Sequence, residues 1–278
     1  MKIINTDYIP KSNIKYPEYT DMHYIKIKKD RNIKIDKNYP YVNKSKFFLF
    51  KKWLVRILLY LIVFPMTKIK LGLKVYGKNN LKENKELLKN GVISVSNHIN
   101  FFDYLAILRT VKPFKPYVLA WKKNINDKSG NLVRLVGGIP IPEDDIIASK
   151  VYFKSLNNLL IDKGWLHIYA EGSMWEYYRP IRPFKTGAAY LAIKNNKPIL
   201  PIGFSYRRPG FIRRKIFRQI ALININVGKP IMINNNLDLK NNTNELTKKI
   251  HKAVCDLAGI SNNLYGPIYD ESNNKKLD

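Results

Sequence analysis

The chain alternates short apolar runs with stretches of helical spacing. Leu71 to Tyr76 alternates as a strand does, and Leu81 to Asn90 reads as a short helix. Gly91 to Val95 is a small, mostly apolar run with the character of a buried strand, and Tyr104 to Thr110 returns to helical spacing. Pro116 to Trp121 is a further strand, followed by a loop or helix through Asn131 and Leu132. From Ala148 to Lys163 the residues Val151, Phe153, Leu156, Leu159 and Leu160 predict a helix with a core face. Strands are expected at Trp165 to Ala170, Pro198 to Tyr206 and Ala221 to Val227, with helices at Thr186 to Lys194 and Asn244 to Ala258. This alternation predicts an α/β fold: a mixed, largely parallel sheet flanked by helices.

Ahead of that pattern the chain behaves differently. Residues 1 to 45 are polar, basic and rich in Tyr, without a period, and read as an irregular arm ordered by docking. No apolar h-region of a signal peptide follows the first residues. Phe47 to Met66 is strongly apolar, but its charge-free part is about a dozen residues, short of the ~20 that span a bilayer as a helix. Lys51, Lys52 and Arg56 cluster beside Trp53 and Tyr60, which suits a helix lying in a membrane interface with its cations at lipid headgroups. A buried amphipathic helix and a single tilted span fit the same residues. The expected organisation is therefore an arm and membrane-interfacial segment (1–67), a globular domain (68–262) and a polar tail (263–278).

Charge narrows the partners. The 278 residues hold 49 Lys and Arg against 21 Asp and Glu, a net of +28, which points to a polyanion: an anionic membrane surface, a phosphorylated substrate or nucleic acid. One cysteine, Cys255, excludes an intrachain disulfide. The four histidines are scattered, and no Cys/His spacing resembles a zinc site, so no metal is expected.

Candidate chemistry gathers at the ends of predicted strands. Asn97-His98 closes one strand, and Asp103 follows five residues after the histidine at the start of a helix. A carboxylate in reach of an imidazole fixes its tautomer and stabilises its cation, as a general base acting on an alcohol requires. The plainer alternative makes Asp103 a helix cap and His98 a structural residue. Glu171-Gly172-Ser173 ends another strand, where the glycine permits a tight turn or close approach to a ligand. Beyond it, Arg179, Arg182 and Lys185 stand in a proline-stiffened segment before a helix, an arrangement suited to phosphate. Gly138, Ile139 and Pro140 form a rigid extended stretch that could line a pocket. The densest basic cluster, Arg207 to Lys215, interrupted by Phe211 and Ile212, suits lipid phosphates, nucleic acid or a solvated hairpin tip.

Taken in order, these stretches resemble the glycerophospholipid acyltransferase family. Asn97-His98 with Asp103 matches its Asn-His-x4-Asp block, Gly138-Ile139-Pro140-Ile141 its second, Glu171-Gly172-Ser173 its Glu-Gly-Thr block, and Pro198 to Pro201 its fourth. Phe184-Lys185-Thr186-Gly187-Ala188 matches the sequence that trails the third block. The resemblance implies the glycerolipid acyltransferase fold and transfer of a fatty acyl group from acyl-CoA or acyl carrier protein, as co-substrate, to a lysophospholipid hydroxyl. It further implies His98 as base oriented by Asp103, no other cofactor, and residence on the cytoplasmic face of a membrane. Asn97, Gly138, Ile139, Pro140, Glu171, Gly172, Ser173, Arg179, Arg182 and Lys185 become the expected substrate-binding set, with lysophosphatidate the first acceptor to consider. Two departures stand out: Pro142-Glu143-Asp144-Asp145 and Met174 occupy places where the family usually has arginine. Those arginines are the usual candidates for holding the acceptor phosphate, so either Arg179, Arg182 and Lys185 substitute for them or the acceptor is a different lysolipid or alcohol. A basic binding protein without activity, on the same fold and directed to lipid or nucleic acid, is the alternative.

Overall fold

The sheet of the computed structural model has seven strands among the described residues, which are 8–26, 31–143, 145–234 and 238–276. They are β1 (Lys74–Tyr76), β2 (Val92–Ser96), β3 (Tyr117–Ala120), β4 (Gly138–Pro140), β5 (Trp165–Tyr169), β6 (Ile199–Arg207) and β7 (Leu222–Val227). Their order is β1-β7-β6-β2-β5-β3-β4. Only β6 and β7 pair antiparallel; every other neighbouring pair is parallel. The sheet is mixed and mostly parallel, with helices on both faces. Five strands, β6, β2, β5, β3 and β4, thus deliver their C-terminal ends to one edge, where sites of α/β folds form.

Alternation along each strand builds two cores. In β2, Val92 packs with Leu88 of α4 (Lys85–Lys89) and Ile107 of α5 (Asp103–Thr110). Ile93 and Val95 point the other way, onto Leu156 of α8 (Ile146–Ile161), Leu191 of α9 (Gly187–Lys194) and Val254 of α11 (Leu239–Ala258). Helix α8 starts where Asp145 accepts a 2.9 Å hydrogen bond from the Ala148 amide. Its buried stripe is Ala148, Tyr152, Leu156, Leu159 and Leu160. Phe153, expected inside, lies one position round the helix from Tyr152 and is 43% exposed. Helix α11 begins five residues earlier than its apolar spacing predicts, because Asp238 caps it by accepting from the Lys240 and Asn241 amides. Asp144 lies outside the described residues.

The N-terminal arm is laid on the domain. Trp175 Nε1 donates to Met22 O at 2.8 Å, and Asp21 meets Lys185, Tyr269 and Asn274. Thr20 pairs with Asn274, so arm and C-terminal tail are knitted together. Between arm and sheet runs one long helical element: α1 (Lys46–Leu58), a π-helical turn at Leu59–Val63, and α2 (Phe64–Lys70). Pro65 explains the π turn: it has no amide hydrogen to donate, and the ladder shifts to the Phe64-to-Leu59 bond just before it. The element runs past residue 67, to Lys70.

The polarity of α1 is the reverse of the expected one at Lys52. That side chain is buried, with Nζ 3.5 Å from the centre of the Tyr117 ring, and burial lowers its pKa to about 7. Facing outward instead are Phe47, Phe50, Trp53, Leu54, Leu58, Leu61 and Ile62. Among the described residues no helix is long and apolar enough to cross a membrane.

Candidate active site

His98 follows the end of β2, in the middle of the parallel strands, and Asp103 opens α5 on the next turn of chain. The sequence folds this way because Asp103 acts on the loop between them. Its Oδ2 accepts from the amides of Ile99 at 2.7 Å and Asn100 at 2.9 Å, tightening the turn. The same oxygen lies 3.1 Å from His98 Nδ1. Asp103 is fully buried, and its Oδ1 has no partner among the described residues. Burial works against charge on both groups, lowering the imidazole to about 3 and raising the Asp103 carboxyl, which the two amides oppose. A neutral His98 can donate a hydrogen bond from Nδ1–H to Asp103 Oδ2, which leaves the Nε2 lone pair free. Tyr169, at the end of β5, stacks on the ring with centroids 3.8 Å apart and holds its plane.

Glu171 comes from the neighbouring strand end and ties this loop to the next. Its Oε2 accepts from the His98 amide at 2.8 Å and from Arg182 Nη2 at 3.0 Å, while Oε1 accepts from the Arg182 amide at 2.9 Å. Arg182 is 1% exposed, and its Nη groups also donate to Thr20 O, Ser173 O and Ser173 Oγ. The expectation that Arg182 holds a substrate phosphate is therefore corrected: its guanidinium is buried and both Nη groups face protein acceptors. Glu171 likewise positions backbone rather than ligand, and Ser173, 1% exposed, belongs to the same buried knot. Gly172 makes the turn at φ +80°, a conformation that suits glycine, with Lys185 Cε over it.

The other expected residues are spread apart. Both ends of the Asn97 amide are engaged by Phe204 backbone, at 2.8 and 3.0 Å, so it staples β2 to β6. Gly138, Ile139 and Pro140 are buried in β4, three strand spacings or about 14 Å from β2. Arg179 donates to Gly259 O at the end of α11. Lys185 is the expected cation that stays half-exposed, beside Gly172 and paired with Asp21 at 3.2 Å. Glu143, where the family usually has arginine, accepts from Trp121 Nε1 at 3.1 Å.

This geometry can position an imidazole base at a strand end and hold it neutral. Residues 72–205 match the Acyltransferase family, a span that contains His98, Asp103, Glu171, Arg182 and Lys185. The domain belongs to the acyltransferase family. Among solved structures the chain is similar to the 1-acyl-sn-glycerophosphate (LPA) acyltransferase PlsC from Thermotoga maritima, at 15% identity and a TM-score of 0.49, covering 78% of this chain and 90% of that one. No protein of curated function matches the sequence. Acyl transfer is accordingly the chemistry to which residues 72–205 are assigned.

Several residues around the candidate site carry no signal in the sequence pattern. His23 comes from the aperiodic arm and stacks on Trp121 with centroids 3.8 Å apart. Glu176 accepts from Asn100 Nδ2 at 2.7 Å, fixing the loop after His98. Only Tyr169 carried a usable signal, as the last residue of a strand ending beside Glu171. Next to the loop lies a groove of about 1070 Å³, reaching from Asn100, Phe102 and Glu176 outward to Ile69 and Phe211.

Proposed function

We propose that this acyltransferase moves a fatty acyl group from the thioester of acyl-CoA or acyl carrier protein to the hydroxyl of a lysophospholipid. The observation that carries the reading is the His98 Nδ1 to Asp103 Oδ2 contact, with the carboxylate anchored by two amides inside a matched acyltransferase domain. His98 Nε2 takes the hydroxyl proton as the alcohol oxygen attacks the thioester carbonyl. The tetrahedral intermediate collapses with cleavage of the C–S bond, and the proton passes to the departing thiolate. General-base assistance of this kind contributes roughly 10²–10⁴-fold.

With Arg182 committed internally, Lys185 is the supported cation for an acceptor phosphate. Glu143 and Met174 in place of arginines favour testing acceptors besides lysophosphatidate. Purified protein should release thiol from a long-chain acyl thioester only with its proper acceptor, drawn from lysophosphatidate, other lysophospholipids and lysolipids without phosphate. His98→Ala should lose at least ~10²-fold in rate with an unchanged melting temperature. Wild-type transfer by that variant would falsify the base assignment.

The outward apolar face of α1 and α2 supports placing the protein on a membrane surface. Replacing Trp53, Leu54, Leu58 and Leu61 by serine should abolish flotation with vesicles. Unaltered flotation would remove these helices from the reading.

A further inference from the structure

The connection between β6 and β7 brings cations and exposed apolar side chains together. Residues 208–221 contain five cations, Arg208, Arg213, Arg214, Lys215 and Arg218, and no acid. They also carry Phe211, Ile212, Ile216 and Phe217, each between 61% and 69% exposed. Phe211 to Lys215 form the short helix α10, so the segment has shape and is not a loose tail. Arg208, Arg214, Lys215 and Arg218 are exposed too, while Arg213 and Gln219 face inward.

Those two inward residues lock the segment to the end of α2. Arg213 Nη1 donates to Ile69 O at 2.7 Å, and Gln219 Nε2 donates to Lys70 O at 2.6 Å. Met66 and Ile69 of α2, 55% and 66% exposed, and Phe211 and Ile212 of the connection then line the same groove. Its inner end reaches Asn100 and Glu176 beside the catalytic loop.

We propose that residues 208–221 are a second membrane contact, which sinks Phe211, Ile212, Ile216 and Phe217 into the interface of an anionic bilayer while Arg208, Arg214, Lys215 and Arg218 meet lipid phosphates. Charge complementarity selects an anionic surface. The four exposed apolar side chains select lipid over nucleic acid, because contacts to a phosphate backbone give them nowhere to be buried. Continuity with α2 makes the two contacts flank one groove mouth, so lipid and catalytic loop meet across a short path. The proposal rests on the membrane reading of α1 and α2, and its test separates the two.

The test uses the full chain with Ile212→Cys carrying an environment-sensitive fluorophore, in a Cys255→Ala background. Vesicles of phosphatidylglycerol and phosphatidylcholine should shift the emission to the blue and raise it several-fold, whereas phosphatidylcholine alone should leave it near the aqueous value. Serine at Phe211, Ile212, Ile216 and Phe217 should weaken co-sedimentation with anionic vesicles more than tenfold. Glutamine at Arg208, Arg214, Lys215 and Arg218 should do the same and flatten the salt dependence. Co-sedimentation with an unshifted label overturns the second contact and leaves α1 and α2 standing. Absence of co-sedimentation overturns both, and a label that responds to an oligonucleotide but not to vesicles reassigns the segment to nucleic acid.

Discussion

Charge is costly at the histidines of this chain, because their rings are withdrawn from water. Burial lowers His167 to about 3, and His23 and His251 to about 4. His167 is held neutral between Ser94 Oγ at 2.8 Å and Ser96 Oγ at 3.3 Å, under the strand end that carries His98. In the unfolded chain each ring takes a proton near pH 6.5. Between that value and about 4 the unfolded state thus binds more protons, and stability falls as pH falls. Denaturant unfolding at pH 7, 6 and 5 should show this decline, and His167→Gln should flatten it; a stability independent of pH contradicts the assignment. Arg182 makes the opposite point to His98. Arg182→Ala strands a buried Glu171 and should cost about 3–5 kcal/mol by denaturant titration, where His98→Ala should cost under ~1 kcal/mol. The His98–Asp103 pair was legible because its partners are five residues apart and one turn brings them together. Arg182 was not: its distinguishing partner is Thr20 O, 162 residues away.

At the scale of elements, the arm is an integral part of the site's support. Residues 16–24 cover Trp175 and accept the Arg182 guanidinium through Thr20 O, and Asn274 in the tail holds Thr20. Deleting residues 1–26 should therefore lower the melting temperature by about 4 °C or more. A shift within ~1 °C would show the arm to be an ornament of the fold. No periodicity announced this role, since the arm contributes single contacts rather than a face. For α1 the apolar composition was legible and the direction was not. Lys52 turns inward because the Tyr117 ring offers its ammonium a cation–π partner, which nothing near residue 52 in sequence reveals. Strand β4 was read only as an extended stretch; its three residues become a strand by pairing with β3.

Over the whole molecule, the proposed membrane contact combines the +28 charge with the outward apolar residues. Binding to anionic vesicles should weaken as salt rises and the Debye length shortens from ~10 Å at 0.1 M towards ~3 Å at 1 M, with a remainder set by the apolar contacts. Flotation across a salt series measures both parts, and salt-insensitive binding would assign it to the apolar face alone. By itself the sequence determined the α/β class and the place of His98 and Asp103 at a strand-to-helix turn, because each follows from local spacing; its summed charge gave only the expectation of a polyanionic partner. Tertiary structure decided which charges reach solvent. It buried Arg182 and Lys52, turned Asn97 and Glu171 into struts, and left Lys185, Arg208, Arg214, Lys215 and Arg218 outside. The physical reason is that a cation's availability depends on what packs around it, and in a sheet ordered β1-β7-β6-β2-β5-β3-β4 those neighbours come from distant stretches of chain.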